Sequence, residues 1–166
     1  QCRELVCEQK PLAHLWSRSQ WIEGNIVFTP QGKLVDILRT NGQGGDKATI
    51  VHVSDDGKKL SHHSQRDIID FPSGGAKFTI RYDRKTNLYW SIPNKETTPQ
   101  AYRNILVLTS SPNLREWKIE KTLLRHTDSK KHAWQYVDWL FEGDDIIAHL
   151  KNSLGGAYNA HDTNYL

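Results

Sequence analysis

The chain has 166 residues, of which 37% are hydrophobic, and this length and composition suit one globular domain with a substantial core. Its 22 basic and 19 acidic residues give a net charge of +3 and are spread along the whole length without a long run of like charge. No segment approaches the ~20 consecutive apolar residues of a membrane-spanning helix. We therefore expect a single domain over residues 1–166, with neither nucleic acid nor a membrane as its partner.

Short apolar stretches separated by Gly, Pro, Asn and Asp recur from end to end and predict antiparallel β-strands. The first group comprises NIVFT, KLVDILR, ATIVHVS and a weaker strand after the turn DDGKK. The second group comprises AKFTIRYD, LYWSIPN, NILVLTSS and EWKIEKTLL. The third group begins with QYVDWLFEG and DIIAHLK and continues to AHDTNYL. The sequence thus predicts an all-β protein.

Four strands in roughly fifty residues is the size of one blade of a β-propeller. The pattern therefore predicts four-stranded antiparallel blades, with the long stretch SHHSQRDIIDFPSGG as an irregular connection between the first two. The first residues, QCRELVCEQ, are expected to form an outer strand of a preceding blade. A propeller has typically four to eight blades, and this chain would cover about three of them.

One predicted hairpin carries an acid and a base at its open end. Its turn is Pro30-Gln31-Gly32, and residue 31 is midway between Glu23 and Arg39, since (23 + 39)/2 = 31. The two charged residues are therefore expected to lie opposite each other, where Cβ atoms are roughly 5 Å apart. Such a pair can be an ordinary surface ion pair, contributing about 0 to 1 kcal/mol, or one wall of a site.

The order of several motifs resembles the sialidase (neuraminidase) family. A Glu is followed sixteen residues later, across a hairpin, by an Arg, here Glu23 and Arg39. The segment RNILVLTSSPNLREW begins with Arg103, and YVDWLFEGDDIIAHL begins with Tyr136. The resemblance covers about residues 16 to 166. It implies a six-bladed propeller in which Tyr136 is the nucleophile, Glu23 its general base, and Arg39 and Arg103 bind the carboxylate of a terminal sialic acid.

The resemblance implies a retaining exo-sialidase that is secreted or periplasmic and acts on glycans ending in an acidic sugar. It also implies that a general-acid Asp and a first substrate-binding Arg lie upstream of everything present in this sequence. Two turns of the family, the Asp boxes, are eroded here. One has Leu60 in place of Trp, and the other has Asn113 in place of the acid. We expect no cofactor, and the eight histidines show no zinc-ligand spacing.

Two other functions stay open. Asp138 is a further candidate for substrate binding, and a second kind of glycosidase would use Glu23 and Asp138 as a pair of carboxylates acting on a neutral sugar. The separation of those two carboxyl groups would distinguish this enzyme from one in which Tyr136 is the nucleophile. The third possibility is a propeller without catalytic activity that binds glycans or proteins.

Overall fold

The computed structural model describes residues 4–7, 20–41, 45–95, 103–155 and 158, and all the regular structure among them is β. No helix that could cross a membrane is found in these ranges. The strands are β1 (Glu4–Cys7), β2 (Gln20–Phe28), β3 (Leu34–Asn41), β4 (Lys47–Val53), β5 (Lys59–His62), β6 (Ile68–Asp70), β7 (Ile80–Asp83), β8 (Leu88–Ser91), β9 (Ile105–Ser111), β10 (Lys118–Arg125), β11 (Ala133–Glu142) and β12 (Asp145–Ser153). The all-β prediction is confirmed.

The first sheet has six strands, in the order β1-β5-β4-β3-β2, with β6 also paired to the start of β4. Two of these strands depart from the predicted four-stranded antiparallel unit. β6 lies within the stretch that we expected to be irregular, and three of its residues pair with β4. β1 runs parallel to β5 at the edge of this sheet, so our placement of the first residues in a preceding blade is wrong.

The second sheet contains four antiparallel strands in the order β10-β9-β8-β7, as predicted, and β11 pairs with β12 as a long hairpin. The predicted strand AHDTNYL lies outside the described residues. In the turns between β2 and β3, β4 and β5, β7 and β8, and β9 and β10, side-chain oxygens accept hydrogen bonds from the backbone. Whether the sheets are blades of a propeller stays a prediction.

The two turns that resemble eroded Asp boxes are both ordered. In the first, the Ser54 hydroxyl donates to Asp56 Oδ1 over 2.6 Å and accepts from the Lys59 backbone N–H. In the second, Asn113 Oδ1 accepts hydrogen bonds from the backbone N–H groups of Arg115 and Glu116, both over 2.9 Å. A turn of this kind needs an oxygen acceptor rather than a charge, so asparagine can replace the acid.

One strand from each of the three sheets lies in a common row, in the order β2, β7, β11. The Asn25 amide on β2 donates to the Phe78 carbonyl over 2.8 Å and accepts from the Ile80 N–H over 3.1 Å. The Thr79 hydroxyl donates to the Val137 carbonyl over 3.1 Å. These contacts place the middle of β2, the beginning of β7 and the middle of β11 at a common level.

Two apolar clusters fill the spaces between the sheets. The larger cluster joins the first and second sheets through side chains that are at most 5% exposed, among them Val35, Ile37, Phe71 and Phe78. The smaller cluster joins the second and third sheets and includes Trp139, which is 2% exposed. Burial of these side chains fixes the sheets against one another, because each apolar contact removes surface from water.

Candidate functional site

Glu23 and Arg39 meet at the open end of the β2–β3 hairpin. The Arg39 Nη1 donates to Glu23 Oε2 over 2.5 Å. The predicted register is wrong by one residue, because Arg39 lies opposite Ile22 and the next pair is Gly24 with Leu38. Glu23 is the extra residue of a β-bulge, and its φ is +45°. The bulge redirects the carboxylate toward the guanidinium.

The residue after Glu23 has no room for a side chain. A Cβ atom on Gly24 would lie 2.0 Å from Asp36 Oδ1 on the neighbouring strand β3. Burial raises the pKa of the Asp36 carboxyl above its usual value. The glycine thus lets Asp36 lie against the backbone of the bulge, and a glycine inside a strand is a common mark of such a feature.

Arg39 is the more deeply buried member of the ion pair. Its side chain is 8% exposed, against 38% for Glu23. The Arg39 Nε atom is buried and has no hydrogen-bond partner among the residues that the structure describes. A guanidinium offers five N–H donors, so the Arg39 side chain can bind a second anion in addition to the Glu23 carboxylate.

Tyr136 occupies a second β-bulge, on β11. The strand pairing passes from Gln135 opposite Lys151 to Asp138 opposite His149, so the bulged strand has one extra residue. Tyr136 has a φ of +53° and its side chain is 42% exposed. A bulge therefore presents the phenol on the surface at the beginning of the strand.

Two cations lie near the Tyr136 ring. The guanidinium carbon of Arg103 and the Nζ atom of Lys151 are each 5.9 Å from the ring centroid. Arg103 also donates to the Oε1 atom of Gln135, which is 1% exposed. Its backbone carbonyl accepts a hydrogen bond from the Trp134 N–H over 3.0 Å. These contacts hold Arg103 beside the beginning of β11.

Both residues that the sequence predicts to be catalytic, Glu23 and Tyr136, have a positive φ. Among the described residues, five residues other than glycine have positive φ, and only Glu23 and Tyr136 of these lie within strands. This conformation costs of order 1 to 3 kcal/mol for such residues, and it clusters at functional sites. The strain makes these two bulges the best candidates for a site.

Glu23 and Tyr136 lie at a similar level of the three adjacent strands β2, β7 and β11. Glu23 precedes Asn25 by two residues, and Asn25 donates to the Phe78 carbonyl. Tyr136 precedes Val137 by one residue, and the Val137 carbonyl accepts from the Thr79 hydroxyl. Phe78 and Thr79 both lie just before β7. In the described part of the chain no hydrogen bond joins the Glu23 carboxylate to the Tyr136 hydroxyl. The structure therefore gathers the two residues on one side without bringing them into direct contact.

Asp138 is in a different environment. Its carboxylate is 71% exposed and lies 3.1 Å from the Nη2 atom of Arg81, with which it forms an ion pair. Arg81 also donates to the Trp139 carbonyl and lies over the Trp139 ring, 5.8 Å from the centroid. The partner of Asp138 is thus an arginine of the second sheet rather than Glu23.

Sequence reasoning missed three side chains near the two bulges, namely Lys77, Gln135 and Lys151. Lys77 follows Ala76 and precedes Phe78, both of which are buried, so alternation along this segment could have indicated that the lysine points to another face. Gln135 and Lys151 became visible only through the strand pairing. Comparison of the chain with protein-family models, with curated proteins and with solved structures finds no match.

Proposed function

We propose that this chain provides part of the active site of a retaining exo-sialidase built on a β-propeller. Tyr136 is the nucleophile, Glu23 its general base, and Arg39 and Arg103 bind the carboxylate of the substrate. The observation that carries the proposal is the pair of strained bulges at one end of adjacent strands, each beside an arginine. The side-by-side arrangement of β2, β7 and β11 supports the propeller, because the innermost strands of successive blades are neighbours around a central channel.

The charge of the substrate explains why these residue types suit the reaction. A sialic acid carries a carboxylate on its anomeric carbon, and a guanidinium matches a carboxylate through two parallel charge-assisted hydrogen bonds. An Asp or Glu nucleophile would be repelled by that negative charge, whereas the Tyr136 phenol is neutral when it approaches. The buried Arg39, which has an Nε atom without a partner, is suited to the anion.

The proton of Tyr136 must leave as its oxygen bonds to the anomeric carbon and the bond to the leaving sugar breaks. Phenols have an unperturbed pKa of about 10, so a nearby base is needed. The proposal requires that Glu23, which is 38% exposed, reach the phenol through a water molecule or after a side-chain rotation. Catalytic hydrogen bonds often tighten only when substrate is bound. The leaving-group proton would come from the general acid that the resemblance places upstream.

The paired-carboxylate mechanism receives less support. Asp138 is held by Arg81 and is two residues further along β11 than Tyr136. No observation favours Glu23 and Asp138 as partners across a sugar.

Replacement of the Tyr136 hydroxyl tests the proposal. The test uses the protein expressed together with any sequence that precedes Gln1 in its gene. There, Tyr136→Phe should lower kcat on a fluorogenic sialoside by at least a hundredfold, because the variant loses both the nucleophilic oxygen and its proton transfer. Tyr82→Phe is the matched control, because Tyr82 is 45% exposed and its hydroxyl donates a hydrogen bond to Asn87, far from Tyr136 in sequence. Turnover of Tyr136→Phe within a factor of two of the wild-type value would exclude the tyrosine mechanism.

A further inference from the structure

A lysine outside the predicted site lies at the same end of the central sheet. Lys77 is half-buried between Ala76 and Phe78, which are 2% and 1% exposed. Within the ranges that the structure describes, no carboxylate lies within ion-pair distance of Lys77. A lysine can cover its stem against neighbouring residues while its ammonium group stays accessible, so an ammonium group without a counter-ion can bind an anion from solution.

The contacts between strands place Lys77 between the two bulges. Asn25, two residues after Glu23, accepts a hydrogen bond from Ile80 and donates to the carbonyl of Phe78, the residue that follows Lys77. The second sheet therefore presents Lys77 at the level of Glu23 on β2.

On the other side of the second sheet, Tyr136 of β11 lies at the same level as Lys77. Thr79, two residues after Lys77, donates to the carbonyl of Val137, and Val137 follows Tyr136. The direction of β11 matches that of β7, because Arg81 donates to the Trp139 carbonyl two residues further along both strands. Lys77 thus lies in the segment that leads into β7, the central of the three adjacent strands, with Glu23 on one side and Tyr136 on the other.

We propose that Lys77 is a further substrate-binding residue of this site and contacts the carboxylate of the acidic sugar together with Arg39 and Arg103. The proposal rests on the proposed function and deepens it, because it adds a cation from the segment before β7 to the two arginines that bind the anion. A lysine contributes a compact charge on a flexible stem, and so it can follow the carboxylate as the sugar changes shape. Its role is discrimination between acidic and neutral sugars.

Binding of two ligands that differ in the charge of one group, with a single methyl added to remove it, tests this role. Titration calorimetry would compare N-acetylneuraminic acid with its methyl ester on wild-type protein and on Lys77→Met, which keeps an unbranched stem. Loss of one charge-assisted contact should weaken binding of the acid about tenfold and leave binding of the ester unchanged. Lys77→Arg should restore most of the affinity for the acid. Lys58→Met, at an exposed turn, is the control and should bind both ligands like wild type.

The outcomes separate this inference from the proposed function. Equal binding of the acid by wild type and Lys77→Met, with the acid still preferred over the ester, would overturn the role of Lys77 and leave the sialidase proposal standing. Equal loss of the acid and the ester would show a merely structural lysine and would also overturn the inference. Wild-type protein that does not distinguish the acid from the ester would refute carboxylate recognition, and both proposals would fail together.

Discussion

Removal of the negative charge of Asp67 should destabilise the protein strongly at neutral pH. The Asp67 side chain is 0% exposed. Its Oδ1 accepts a hydrogen bond from Arg115 Nη2 over 2.9 Å, and its Oδ2 accepts one from the His63 N–H over 2.9 Å. His52 Nε2 lies 3.1 Å from Oδ1. Because Arg115 belongs to the turn between β9 and β10, this carboxylate ties the first sheet to the second.

The size of the effect follows from the exposure of the partners. Breaking a buried ion pair by changing one member costs about 3 to 5 kcal/mol. The Arg115 side chain is 36% exposed and can recover part of its hydration, so we expect Asp67→Asn to cost about 3 kcal/mol, at the lower end of that range. Asp55→Asn is the control, because Asp55 is 77% exposed in its pair with Lys33 and should cost less than about 1 kcal/mol.

The effect of Asp67→Asn should depend on pH in a defined direction. Although burial alone would raise the pKa of Asp67, hydrogen bonds from Arg115, His52 and the His63 backbone hold it well below its usual range. The unfolded chain, with an Asp pKa of about 3.9, then binds more protons than the folded chain in acid. The charge therefore stabilises the fold above about pH 4, and this contribution is lost as the pH falls toward the pKa of the folded state.

Urea unfolding followed by tryptophan fluorescence measures the difference between wild type and Asp67→Asn at one protein concentration. We expect about 3 kcal/mol at pH 7 and a clearly smaller difference at pH 3. A difference under 1 kcal/mol at pH 7, or one that does not shrink in acid, would refute the assignment of Asp67 as a charged link between the sheets.

Two further predictions concern the first sheet. Gly24→Ala should cost about 1 to 3 kcal/mol, because its Cβ would lie 2.0 Å from Asp36 Oδ1, and the double variant with Asp36→Ala should recover most of the loss in a thermal melt. No recovery in the double variant would contradict the proposed clash. Ile26 and Phe28 are 61% and 64% exposed on β2, so replacing both by Thr should reduce self-association in sedimentation velocity. An unchanged distribution of species would show that this face does not mediate contacts.

The longer strands were predictable because their apolar residues alternate, and β3, β4 and β9 bury one face or both. β6 was missed because it has only three residues, which are too few to show an alternating pattern, and because Pro, Gly and Ser follow closely in the sequence. The parallel partner of β1 could not be predicted, since strand periodicity contains no information about which edge a distant segment joins. Local pattern thus predicted the elements better than their order.

The candidate site was predicted unevenly for a related reason. The ion pair of Glu23 and Arg39 followed from hairpin spacing, but the bulge shifted the register by one residue. Gly24 was a signal for that bulge, because glycine within a strand often marks one. No glycine flanks Tyr136, so its bulge left no mark in the sequence. Lys77 became a candidate for the site only through the contacts between sheets, which the sequence does not show.

The parallel pairing of β1 with β5 bears on the order in which the first sheet folds. Glu4 pairs with Lys59, a separation of 59 − 4 = 55 residues, whereas β2, β3, β4 and β5 pair with their neighbours along the chain. The entropy lost in closing a loop grows with its length, so the short hairpins form at lower cost. β5 becomes a template for β1 only after it has joined β4. We therefore expect the outermost strand of this sheet to be added last and to separate first.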